Sequence, residues 1–167
     1  MKTECTENNF EFQGLGRRKV EGCFDGGAIT SDAGALLLRE VETRLGIIEQ
    51  FAECFEDYRN ADFIEHTVYE LLAQRVYGLA LGYEDLNDHE DLRGDALLAL
   101  LAGKSDPMGQ SRRRQRDRGK AVAGKSTLNR LELTPAEAGS ICRYKKIRAK
   151  DERIANLFVD LFIQSHC

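Results

Sequence analysis

Ile64, Val68, Leu71, Leu72, Val76 and Leu79 recur at helical spacing, which places six apolar side chains in one stripe along an α-helix. Such a stripe has to be buried against other elements. The 167 residues are enough for one ordinary domain with a core. Other segments offer matching faces. Ser31 and Asp32 are placed to cap a helix from about Ala33 to Leu45, with Leu36, Leu37, Leu38 and Val41 turned inward. Gly46 ends it, and Ile47, Ile48, Phe51 and Phe55 continue at helical spacing. Asp95 to Leu101 reads as a short apolar helix, and Ser126 to Leu131 as another with Ser126 as its cap. Thr134-Pro135-Ala136-Glu137 has the form of a capping box with Pro at the first helical position, predicting a helix to about Tyr144. A last helix spans about Asp151 to Ile163, with Ile154, Leu157, Phe158, Leu161 and Phe162 on one side. Near the start, Arg17 to Phe24 reads as a strand leading into a turn at Asp25-Gly26-Gly27. The expected fold class is therefore mainly α, a helical region with a short β-strand or hairpin near the start.

Charge divides the chain further. The net charge of -4 alone argues against a nucleic-acid binder. From Asp32 to Asp95 there are 16 acidic and five basic residues, whereas from Lys104 to Arg130 there are nine basic residues and two acidic ones. That asymmetry points to contact with a polyanion. The expected organisation is a flexible, polar segment over 1–16, a strand plus acidic helical module over 17–103, a basic loop over 104–125 and C-terminal helices over 126–167. Gly and Pro punctuate the basic loop at Pro107, Gly109, Gly119 and Gly124. No apolar run approaches the roughly 18–20 residues of a membrane span, and Met1 to Phe12 has no apolar signal core. The five cysteines are odd in number and lack a C-x-x-C pair, which suits reduced thiols in the cytoplasm.

Arg112, Arg113, Arg114, Arg116, Arg118, Lys120 and Lys125 crowd into fourteen residues. They repel one another unless solvated or facing phosphates, and each phosphate they neutralise releases counterions. Ser126, Thr127, Asn129 and Arg130 follow, with side chains suited to phosphates and base edges. These eleven residues are the candidate DNA contacts; a solubilising loop is the plainer alternative. Gly119 to Ser126 also matches G-x-x-x-x-G-K-[ST]. A phosphate-cradling loop needs a buried strand before its glycines, and SRRRQRDR cannot form one. Glu84, Asp85, Asp88, Glu90 and Asp91 cluster with His89, but a calcium loop begun at Asp85 has Glu90 where glycine is required. A solvated turn accounts for them, and His66, His89 and His166 have no partners at ligand spacing.

Three stretches carry a family likeness: Gln74 to His89 (QRVYGLALGYEDLNDH), Thr30-Ser31-Asp32-Ala33-Gly34 followed by Leu36 to Glu40, and Ala123 to Glu132 (AGKSTLNRLE). Together they resemble bacterial insertion-sequence transposases of the thirteen-eighty group, within the DDE transposases, from about Phe24 to Cys167. The resemblance implies transposition by a ribonuclease-H-like domain whose acidic residues hold two divalent metals, normally Mg²⁺. The family's first catalytic Asp lies in a Leu-Asp-x-Asp-like strand after the final helix, whereas this chain closes on Gln164-Ser165-His166-Cys167. No catalytic residue or metal ligand is therefore carried over. The expectation is an N-terminal portion with the catalytic domain largely absent, inert on its own and without a cofactor. Its partners would be DNA at the transposon ends and another transposase protomer, at the nucleoid in the cytoplasm. An interaction or dimerisation module, a non-functional remnant, and a nucleotide-binding protein using residues 119–126 remain as alternatives.

Overall fold

The computed structural model describes residues 10–22 and 31–166. Strands β1 (Phe10–Leu15) and β2 (Arg18–Gly22) form an antiparallel hairpin, with Phe12 opposite Val20. The strand read at Arg17 to Phe24 thus has a partner inside the segment read as flexible. Residues 1–9 lie outside the described residues, as do Phe24 and the Asp25-Gly26-Gly27 turn.

Helix α1 (Ala35–Leu45) starts from Gly34, with no side-chain cap from Ser31 or Asp32. Its orientation departs from the expected one. Leu36 packs against the core as expected, but Leu37, Leu38 and Val41 are exposed, while Ala35, Arg39 and Glu42 are buried. Polar partners explain the reversal. Arg39 Nη1 donates to the Gln13 carbonyl at 2.7 Å, and Glu40 Oε1 accepts the Gln13 amide at 2.6 Å, docking α1 on the hairpin. Glu42 Oε1 accepts the amides of Ile48 and Glu49 at 2.8 and 3.3 Å, which caps helix α2 (Ile47–Ala52). A helix start leaves its first amides without partners, so a carboxylate there is worth turning inward. Phe55 leaves the expected helical run and opens strand β3 (Phe55–Asp57).

Helix α3 (Val68–Ala80) is the hub of the fold. It begins at Thr67, not Ile64, because Thr67 and Glu70 form a reciprocal capping box: Thr67 Oγ1 accepts the Glu70 amide at 3.1 Å and Glu70 Oε2 accepts the Thr67 amide at 2.8 Å. Leu71, Leu72, Ala73 and Tyr77 enter the core, and Val76 and Leu79 of the expected stripe stay exposed. The short helix α4 (Asp88–Asp91) and helix α5 (Ala96–Leu101) come next, the latter capped by Asp95 and contributing Leu98, Ala99 and Leu101. After the basic loop comes helix α6 (Lys125–Glu132), which starts from Gly124 rather than from Ser126 and buries Leu128 and Leu131.

No helix forms at Thr134-Pro135. Thr134 Oγ1 donates backward to the Arg130 carbonyl, and Lys145 Nζ reaches the Leu133 carbonyl at 2.6 Å, so both serve the end of α6. The segment instead runs to strand β4 (Ile147–Ala149), antiparallel to β3 with Glu56 opposite Arg148. Helix α7 (Asp151–His166) closes the described chain. Only Leu157 of its apolar side is buried, and Phe158, Val159, Phe162 and Ile163 face outward. About 49% of the described residues are helical against 11% in strands, so the protein is mainly α with two small antiparallel sheets. Among the described residues no helix is long and apolar enough to cross a membrane.

Candidate nucleic-acid interface

The basic loop is built into the core along one side. Ala121, Val122, Ala123 and Gly124 are buried. Gln74, itself buried in α3, clamps this run: its Oε1 accepts the Ala123 amide at 2.9 Å and its Nε2 donates to the Ala123 carbonyl at 2.8 Å. The second Nε2 hydrogen points to His89 Nδ1 at 3.2 Å. Nδ1 is therefore the acceptor, and the neutral ring carries its proton on Nε2. Burial holds the His89 pKa below the ordinary histidine value. The ring packs on Gly78, where an added Cβ would come within 2.7 Å of His89 Cε1. The loop is pinned again at Gly109, whose φ of +64° and close approach to the Lys120 and Ala121 amides exclude a side chain.

Around this anchored base lies a cleft of about 880 Å³. Eight Arg and Lys side chains line it against four Asp and Glu. Several of the cations are already paired. Arg59 is bidentate on Asp57, with Nη2 to Oδ2 at 2.7 Å. Lys104 Nζ meets Glu70 Oε2 at 2.8 Å, and Arg93 lies between Glu90 and Asp117 at 3.1 and 3.4 Å.

The sequence candidates separate into different roles. Arg112 is mostly buried, donating to His66 Nε2 at 2.8 Å and to Glu65 Oε2 at 2.9 Å. A guanidinium only donates, so His66 Nε2 must be unprotonated. Burial, then the charges of Lys104 and Arg112, hold the His66 pKa down to about 3. Arg112 is thus a strut of the cleft wall. Arg113 lies over the Phe63 ring, Arg114 is exposed at the rim, and Arg116 is exposed 3.8 Å from Asp117. All four line the cleft, as do Thr127 and Arg130 of α6. Arg118 and Lys120 do not line it.

Lys125, Ser126 and Asn129 face a second groove of about 790 Å³, reached across Arg130 and Tyr144, which border both. Lys125 Nζ donates to Asn87 Oδ1 at 3.1 Å. Helix α6 therefore forms the ridge between the two depressions. Arg75 holds that ridge to α3 through Glu132 at 2.5 Å, and donates to the Tyr83 and Glu84 carbonyls at 3.1 and 2.8 Å. Arg59, Arg93, Lys104 and the rings of Phe63 and Tyr144 were outside the sequence candidates. They are scattered along the chain, and only the fold gathers them.

The glycine-lysine-serine match takes another form here. The Val122 amide donates to the Arg93 carbonyl at 3.2 Å and the Ala123 amide to Gln74. Those of Gly119 and Lys120 go to the carbonyls of Gly109 and Asp117. These four amides are committed and cannot cradle a phosphate.

The cleft thus carries twice as many cationic as acidic side chains. A family model described as transposase DDE domain group 1 matches residues 12–167. The chain belongs to this transposase family. Neither a curated protein nor a solved structure matches it. For a DDE transposase the two-metal centre is the implied cofactor site. Among the described residues no three His, Cys, Asp or Glu side chains converge on a point that could hold a metal. Three of the acidic groups serve other partners: Asp85 Oδ1 accepts from Asn87 at 2.8 Å, Glu65 pairs with Arg112, and Glu90 pairs with Arg93. Held in this way, Asp85, Glu65 and Glu90 do not form a two-metal centre with one another.

Proposed function

We propose that this chain is the helical N-terminal portion of an insertion-sequence transposase of the thirteen-eighty group, acting at the nucleoid in the cytoplasm. It engages the DNA at the element's ends, and the basic cleft is the contact surface. Strand cutting falls to carboxylates that the described residues do not bring together. One observation carries this reading: Arg113, Arg114 and Arg130 line a single cleft and have no carboxylate partner among the described residues. Guanidinium groups gathered in one cleft without carboxylate partners attract a polyanion, and each phosphate they neutralise releases counterions.

Fluorescence anisotropy with labelled duplex DNA tests it, using the element's terminal repeat and a scrambled duplex over a range of salt. The triple substitution of Arg113, Arg114 and Arg130 to Gln weakens binding. It also flattens the salt dependence, by about 0.9 in slope for each phosphate left without a cation. Unchanged affinity would overturn the reading.

A second reading, assembly with another protomer, has its own observation. Phe158, Val159, Phe162 and Ile163 leave an apolar face of α7 exposed, and such faces mark interaction surfaces. Sedimentation decides it: a mass that stays monomeric at every concentration removes this reading.

A further inference from the structure

Two exposed aromatic rings stand in the wall of the cleft. Phe63 is 65% exposed and Tyr144 58%. The guanidinium of Arg113 lies 4.9 Å from the Phe63 ring centre. Those of Arg130 and Arg143 lie 5.5 and 5.1 Å from that of Tyr144. Both rings line the same cavity as the unpaired arginines.

Attraction for phosphate requires none of this. An intact duplex keeps its bases stacked inside and presents phosphates outward, so a flat ring in a cleft wall gains nothing from it. An unpaired strand offers bases with two free faces, which stack on aromatic rings and on arginine planes. Size agrees. A cavity of about 880 Å³ lies in the range of small-ligand pockets, enough to take a few nucleotides. The arrangement is also prepared in advance. The guanidinium groups of Arg113 and Arg130 each lie over a ring, which restrains both partners and reduces the ordering cost on binding.

We propose that the cleft takes an unpaired DNA strand, stacking bases on Phe63 and Tyr144 while Arg114 and Arg130 hold its phosphates. This rests on the reading of the cleft as a DNA contact and specifies the form of DNA it accepts.

The test compares a short labelled single strand with its duplex, by anisotropy at matched salt, on the whole chain. The unaltered protein binds the single strand more tightly. Phe63→Ala and Tyr144→Ala each weaken single-strand binding about tenfold with the salt slope unchanged, and Tyr144→Phe, which keeps the ring, restores it. Circular dichroism checks that each variant is folded. A strand carrying photoreactive 5-iodouracil gives a second measurement on the unaltered chain, with crosslinks expected at Phe63 or Tyr144. Crosslinks only at other residues would overturn the proposal. Duplex binding at least as tight as single-strand binding, insensitive to the alanine substitutions, would overturn it and leave the duplex reading standing. No binding to either form would overturn both.

Discussion

Gln74 shows how much one side chain can hold. Its amide satisfies both backbone groups of Ala123 and one nitrogen of His89 inside the core. Gln74→Leu keeps the bulk and removes every partner, leaving a buried amide and a buried carbonyl unpaired at about 1–3 kcal/mol each. Urea unfolding should show a loss of about 3 kcal/mol, in the lower part of the roughly 2–6 kcal/mol for the two groups together because partial relaxation is allowed. A loss below about 0.5 kcal/mol would mean the clamp is replaced by water. His66 makes a pH prediction. Its folded pKa of about 3 lies below the ordinary 6.5. Between those values the unfolded chain binds a proton that the folded chain refuses. The stability tied to neutral His66 is complete above about 6.5 and is lost as pH falls toward 3. The urea midpoint should drop between neutral and mildly acidic pH, and His66→Gln should make the drop shallower. It does not abolish it, because His89 is shifted the same way. An identical slope in the variant would remove His66 as the cause. Residue roles such as these were the least legible part of the sequence. Arg112 looked like one member of a cationic run, and only its contacts with Glu65 and His66 distinguish it from Arg114.

At the scale of elements, the same four-residue pattern occurs twice with opposite results. Thr67 to Glu70 closes a capping box and starts α3, while Thr134 to Glu137 starts nothing. The difference lies in the chain downstream of each pattern. Thirteen residues with a buried face come after Thr67. After Thr134 the chain meets Gly139 and Ser140, and Ile141 is 98% exposed. A cap stabilises a helix that packing already favours and does not create one. Thr67→Ala should therefore cost about 1 kcal/mol, read from the urea midpoint, whereas Thr134→Ala leaves the helix content seen by circular dichroism unchanged. Equal costs for the two would refute this account. The inverted face of α1 has the same kind of origin. Hydropathy placed its leucines inward, but Arg39 and Glu42 had hydrogen bonds to make with other elements, and tertiary pairing of this kind is invisible along a single stretch of chain. Strands of three residues, such as β3 and β4, are too short for an alternating pattern to announce them.

For the molecule as a whole, the mainly helical class and the core position of Leu71 and Leu72 on α3 were readable in periodicity. The cleft was not, because its cations and rings come from α6 and four separate loops, spread between Arg59 and Tyr144. Its far wall depends on the short ladder in which Phe55 lies opposite Ala149 and Asp57 opposite Ile147, with Glu56 taking both Arg148 and Lys150. That ladder joins residues 92 positions apart. On a ribosome the chain emerges from its amino end, so Arg59 and Phe63 are outside long before Ile147 is made. Closing so long a loop is slow and costs entropy before any contact repays it. During that interval β3 is an open edge, and the arginines that will share one cleft belong to unconnected stretches of a growing polymer. The cleft is thus completed late, only once the stretch around Ile147 has joined the one that holds Arg59 and Phe63.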